Sequence, residues 1–136
     1  MSDCIFCKII DGEIPCAKVY EDEDILAFLD IAPISKGHTL VIPTKHYNNL
    51  FEIPEELGAK LIFAFKKVGQ GIMKATGATG INVVMNNFAS AGQVVPHAHW
   101  HLIPRIEGDN LFKITQGKYD SNDEMQKLAD KINKCL

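Results

Sequence analysis

The chain has 136 residues, enough for one domain and too few for a second full core. Its 46% hydrophobic and 23% charged residues describe an ordinary globular protein, and a formal net charge of -3 excludes the broad basic field that a nucleic-acid polymer needs. No apolar run approaches the ~18 residues of a membrane span, and MSDCIFCKIIDGEIP lacks the basic start and long apolar stretch of a secretory signal, so the expected setting is cytoplasmic, with the cysteines reduced.

In chain order, KVYEDEDILAFLDI (18–31) predicts two short strands around an acidic turn, a hairpin. HTLVIP (38–43) follows Gly37 as a third strand ended by its proline. Pro54 suits the first position of a helix whose Leu57, Leu61, Phe65, Val68 and Ile72 recur at helical spacing, with Gly77 as its C-terminal cap. INVVMN (81–86) is a fourth strand, NFASAGQ a loop, and VVPHAHWHLIPR (94–105) a fifth strand. Ser121 and Glu124 have capping-box spacing, and Met125, Leu128, Ala129 and Ile132 give the helix after them one apolar face. Strands joined by turn-length connections, with one long helix, predict a mostly antiparallel α+β fold filling a single domain over 1–136.

Three of the five histidines in the chain, His97, His99 and His101, alternate with Ala98 and Trp100. On a strand the three imidazoles share one face while Ala98, Trp100 and Leu102 pack behind them. Two chemistries use such a row. The rings can ligate a metal, as His-x-His pairs do, or one neutral ring can attack phosphorus while its neighbours hold it. Spacing alone leaves both open. A charge of -3 does not exclude a small phosphorylated ligand, because backbone N–H groups can hold an anion.

HAHWHLI resembles the His-φ-His-φ-His-φ-φ signature of the histidine triad (HIT) family of nucleotide hydrolases and transferases, φ being apolar. CIFCKIIDGEIP, VYEDEDILAFLDI, GHTLVIPTKH and GINVVMNN resemble segments of the same family in the same order, so the likeness spans residues 4–109; the tail and helix of 110–136 are not diagnostic. The resemblance implies the HIT fold, an antiparallel sheet of about five strands with one long helix and a C-terminal helix. It implies His99 as the nucleophile toward the α-phosphate of a nucleotide, giving a nucleotidyl-histidine, with His101 as a donor to the phosphate. A histidine of ordinary pKa is roughly three-quarters neutral at pH 7, so the attack needs no general base. Asn86 and the loop of Gly92, Gln93 and Val94 would hold the phosphate, Asp30 the ribose hydroxyls, and Phe6, Phe28 and Ile31 the base. His38 matches a fourth active-site histidine. Val94 stands where many relatives carry serine or threonine, so only its backbone can serve.

Cys4 and Cys7 have the C-x-x-C spacing of half a metal knuckle. On the pattern of zinc-containing family members, Cys4, Cys7, His46 and His97 would bind one structural Zn2+ per chain. The family also implies a homodimer and an AMP-like purine nucleotide as ligand, bound as a phosphoramidate or dinucleoside polyphosphate. The rival readings are a non-catalytic nucleotide-binding scaffold with a structural zinc, and a zinc hydrolase whose ligands are the triad itself.

Overall fold

The computed structural model describes residues 3–136. A short helix α1 (Ile5–Ile10) precedes strands β1 (Lys18–Glu21), β2 (Ile25–Leu29) and β3 (Thr39–Pro43). The long helix α2 (Gly58–Thr76), β4 (Gly80–Val84), β5 (Trp100–Arg105) and helix α3 (Asn122–Lys134) follow. The sheet order is β1-β2-β3-β5-β4 and every pairing is antiparallel. This is the expected HIT-type α+β architecture.

Strand alternation divides the core in two. Ile25, Ala27, Val41, Trp100 and Leu102 face α2 and meet its Leu61, Ala64, Val68 and Ile72. Leu26, Phe28, Leu40 and Ile42 point to the other face, where Cys4, Phe6 and Cys7 of the α1 region cover them. β2 and β3 are therefore buried on both faces and read as continuous apolar runs. That second face carries the site.

Three local outcomes differ from the sequence reading. Pro54 does not open the long helix: its ψ of 140° is extended, and its carbonyl accepts from Leu57 N–H at 3.0 Å, an i→i+3 bond. A 3-10 turn over Glu55–Leu57 therefore precedes α2, whose end at Gly77 (φ 74°) is as expected. The ladder of β5 begins only at Trp100, opposite Val41. Pro96 has no N–H to give to a ladder, and His97 N–H is spent on Val95 C=O at 2.9 Å. In α3, Ser121 Oγ accepts from Glu124 N–H as a capping box requires, but the Glu124 carboxylate returns to Asp120 N–H. Met125, Leu128 and Ile132 line that helix, yet it buries no residue.

Candidate active site and metal cluster

Residues 97–99 lie outside the ladder and are held by the last residue of β3 and the segment after it. Ala98 N–H donates to Tyr47 C=O at 2.6 Å, and His97 Nε2–H donates to Pro43 C=O at 3.0 Å. A carbonyl only accepts, so each ring nitrogen facing one carries the hydrogen, and its partner nitrogen carries the lone pair. This rule assigns His97 and His99.

His99 Nδ1–H donates to His97 C=O at 2.7 Å, which leaves a lone pair on Nε2. Ile34 N–H donates to His38 Nδ1 at 3.0 Å, so His38 Nε2 carries the hydrogen and donates to His101 Nδ1 at 2.9 Å. His101 Nε2 is then an N–H. The His99 and His101 rings lie 5.0 Å apart and both line one pocket. A lone pair and a donor thus stand side by side with no charge on either ring. Burial lowers the pKa of His38 and His99 below the ordinary histidine value. Burial, then the neighbouring His99 and His38, pushes His101 down to about 4.

The pocket holds about 560 Å³. Phe6, Phe28, Ile31, Asp30, Asn86, Gly92 and Val94 all line it, together with His99 and His101. Phe6 stands edge-on to both Phe28 (5.6 Å between centroids) and His99 (5.1 Å), so it links the apolar end of the pocket to His99. Asp30 Oδ1 accepts from Ala32 N–H, and its Oδ2 lies 3.6 Å from His38 Nε2. Ile5, Ile9 and Cys16 also line the pocket, unforeseen. The i, i+4 spacing of Ile5 and Ile9 was the available signal for them.

Two residues expected at the nucleotide stand behind the pocket. His38 is 2% exposed and touches His101 rather than the cavity. The Gln93 amide is consumed by protein groups: Nε2 donates to Asn48 and Val95 carbonyls, and Oε1 accepts from Phe88 N–H. The loop's backbone is also partly used. Ala91 and Gln93 N–H donate to Phe88 C=O, and Gly92 N–H to Ala89 C=O. Gly92 sits at φ 95°, a conformation glycine adopts freely. Among the described residues, Val94 N–H and the Asn86 amide make no hydrogen bond, so they remain for an anion.

Cys4, Cys7, His46 and His97 bring four donor atoms within 4.8 Å of one another. His97 Nδ1, the lone-pair nitrogen, faces Cys4 Sγ at 3.5 Å and Cys7 Sγ at 3.7 Å. His46 Nε2–H donates to Asn48 Oδ1 at 3.1 Å, so its Nδ1 lone pair faces Cys7 Sγ at 3.3 Å. Both imidazoles present the ligating nitrogen inward and bond the other outward, as metal-bound histidines do. Burial, then Cys4, pushes the Cys7 thiol up to about 11, whereas a dication beside it reverses that preference. Two thiols and two imidazoles fit a tetrahedral Zn2+ site. The triad is split: His97 belongs to this donor set, and His99 belongs to neither His/Cys/carboxylate cluster among the described residues. That division speaks against the triad acting together as metal ligands.

The sequence model of the HIT domain matches residues 11–108. An adenylylsulfatase of Arabidopsis thaliana is 48% identical over 135 residues, covering 99% of this chain and 68% of that protein. An adenosine 5′-monophosphoramidase of Schizosaccharomyces pombe is 42% identical over 131 residues, covering 96% of both. The crystal structure of a Zn-bound histidine triad family protein from Mycobacterium smegmatis is similar at a TM-score of 0.77, with 32% identity over 99% of each chain.

Proposed function

Because this chain belongs to the HIT family, in its zinc-containing CxxC type, we propose that it is a nucleotide hydrolase or nucleotidyl transferase acting at the α-phosphate of a nucleoside 5′-phosphate derivative. The observation that carries this reading is the His99 Nε2 lone pair beside the His101 Nε2–H on one pocket wall. His99 Nε2 attacks phosphorus, the bond to the leaving group breaks, and the nucleotidyl-histidine is later cleaved by water. The new cationic ring keeps its Nδ1–H on His97 C=O, a charge-assisted bond that strengthens as the ring becomes cationic. His101, Asn86 and Val94 N–H meet the non-bridging oxygens. Phe6, Phe28 and Ile31 take the base and Asp30 the ribose.

The activities named for the two relatives favour an adenylyl phosphoramidate or mixed anhydride as substrate. The test is AMP release by the purified chain from adenosine phosphoramidate, adenylyl sulfate and diadenosine polyphosphates. Release from at least one is expected. Nucleotide binding without release from any of them supports the scaffold reading instead.

The donor cluster is read as holding one structural Zn2+, which when bound would supply fixed geometry to Cys4, Cys7, His46 and His97 and take no part in the reaction. The whole of 1–136 is read as one domain of a reducing, cytoplasmic compartment. No helix among the described residues is long and apolar enough to cross a membrane. Leu61, Phe65 and Val68, the apolar residues of α2 that the sequence offers for pairing two copies, pack on the sheet, so two copies would pair instead through the outer face of α2, where Ile62 and Phe63 are exposed, and through the edge strand β4. Sedimentation at micromolar concentration is then expected to give twice the chain mass. A clean monomer removes the pairing and leaves the chemistry untouched.

The pH profile follows from the ring states. The folded pKa of His101 lies below the unfolded value, so the neutral form persists as pH falls through the ordinary histidine range and is lost only near 4. Protonating both His38 and His101 would also put two hydrogens between nitrogens 2.9 Å apart. The acid limb of kcat/KM of the folded protein is expected to fall below the ordinary histidine value, because burial lowers both His99 and His101. An acid limb centred near the unperturbed histidine pKa, about 6.5, contradicts this assignment.

A further inference from the structure

We infer that Asn48 and Gln93 are positioning residues that join the Cys4/Cys7/His46/His97 cluster to the phosphate loop, so that filling either site tightens the other. The inference rests on the nucleotide and zinc readings above. Gln93 Nε2 donates to Asn48 C=O at 2.6 Å and to Val95 C=O at 3.0 Å, while Oε1 accepts from Phe88 N–H at 2.9 Å. Two carbonyls on one side and an N–H on the other leave the amide a single orientation. On the far side of the seam, Asn48 Oδ1 accepts from His46 Nε2–H at 3.1 Å, and Asn48 Nδ2 lies 3.0 and 3.2 Å from the two Glu52 carboxylate oxygens. Asn48 N–H adds a third bond to Glu52 at 2.9 Å. A parallel stitch runs from Leu50 N–H to Asn87 Oδ1 at 2.8 Å, and Phe51 stacks on Phe88 with centroids 6.0 Å apart.

Each end of the joint acts on a different site. Asn48 Oδ1 holds the His46 tautomer whose Nδ1 faces Cys7, the role an outer partner plays for a metal-bound histidine. Gln93 receives the N–H of Phe88, a bulky residue at φ 72° and ψ 159° in backbone space nearly reserved for glycine. Phe88 C=O in turn accepts from Ala91 and Gln93, the residues flanking Gly92. The loop that presents Val94 N–H is therefore held in a strained form by a side chain anchored on the metal-site segment. By linkage, an anion that orders the loop steadies His46, and a filled cluster steadies the loop.

The test is the rate of zinc transfer from zinc-loaded protein to a chromophoric chelator, with and without saturating AMP. Gln93 makes no hydrogen bond to any member of the cluster, yet Gln93→Ala is expected to speed transfer about tenfold, the low end for an outer-shell loss. AMP is expected to slow transfer from wild type about fivefold. Gln93→Glu keeps an acceptor for Phe88 N–H and loses the donor to Asn48, so its transfer should no longer respond to AMP. It also serves if the alanine variant fails to fold by circular dichroism. Wild-type transfer rates in the folded variants, or an AMP effect that survives Gln93→Glu, overturn the joint. If AMP does not bind wild type, the nucleotide reading fails by itself and the AMP-free rates of the variants still decide. A chain that takes up no zinc overturns the inference together with the metal reading.

Discussion

Replacing His99 with alanine is expected to abolish turnover, by on the order of 10^5-fold or more, while AMP binding stays within about tenfold of wild type. No other side chain on that pocket wall offers an uncharged nitrogen lone pair. His101 presents its Nε2–H, and its Nδ1 lone pair is taken by His38. Binding should survive because Phe6, Phe28, Asp30, Asn86 and the Val94 N–H are untouched by the substitution. His101→Ala removes a donor and keeps the nucleophile, so it should still react, slower by about two to three orders of magnitude. The two losses therefore differ in kind. A single-turnover reaction with α-labelled substrate, quenched under alkaline conditions because phosphohistidine is acid-labile, should leave label on wild type and none on His99→Ala. Hydrolysis by His99→Ala at the wild-type rate would falsify the nucleophile assignment.

The period-two spacing of 97–101 made much of this arrangement readable, because alternation alone sends Trp100 and Leu102 toward α2 and His99 and His101 to the other face. The strands 18–31 and 39–43 and the Gly77 cap were legible for the same reason: their signals are local. What was not legible depends on groups distant in sequence. The spacing of HAHWH alone does not say that His97 turns to the thiols while His99 keeps a free nitrogen; only the family resemblance suggested that division, and in the fold the Pro43 and Tyr47 carbonyls hold it. Gln93 lies in the loop that the resemblance assigns to the phosphate, yet its amide is spent on Asn48, Phe88 and Val95, partners that only the folded chain supplies. His38 was placed near the triad by resemblance. The Ile34 N–H that makes it a donor to His101 is a turn geometry with no sequence mark. The start of α2 failed differently, because proline at a helix start is compatible with either an α or a 3-10 first turn.

Metal removal is the other large expected effect. Protein purified without chelators should carry about one Zn per chain, and Cys7→Ser should lose it with a fall in melting temperature on the order of 10 °C. The sign follows from what remains. Without a cation, the two thiol sulfurs and the two inward imidazole Nδ1 atoms face one another beside the second core, where only weak S–H contacts serve them. The fold itself should persist, because the first core between the sheet and α2 contains none of the four. His46→Ala is expected to resemble Cys7→Ser in metal content and melting temperature. His97→Ala should do the same while its carbonyl still receives His99 Nδ1–H, so catalysis should fall less than stability suggests. Wild-type zinc content in Cys7→Ser refutes the ligand set. Full zinc loss with an unchanged melting temperature keeps the ligands and removes the structural role, because a cation bound only to the folded chain must stabilise it.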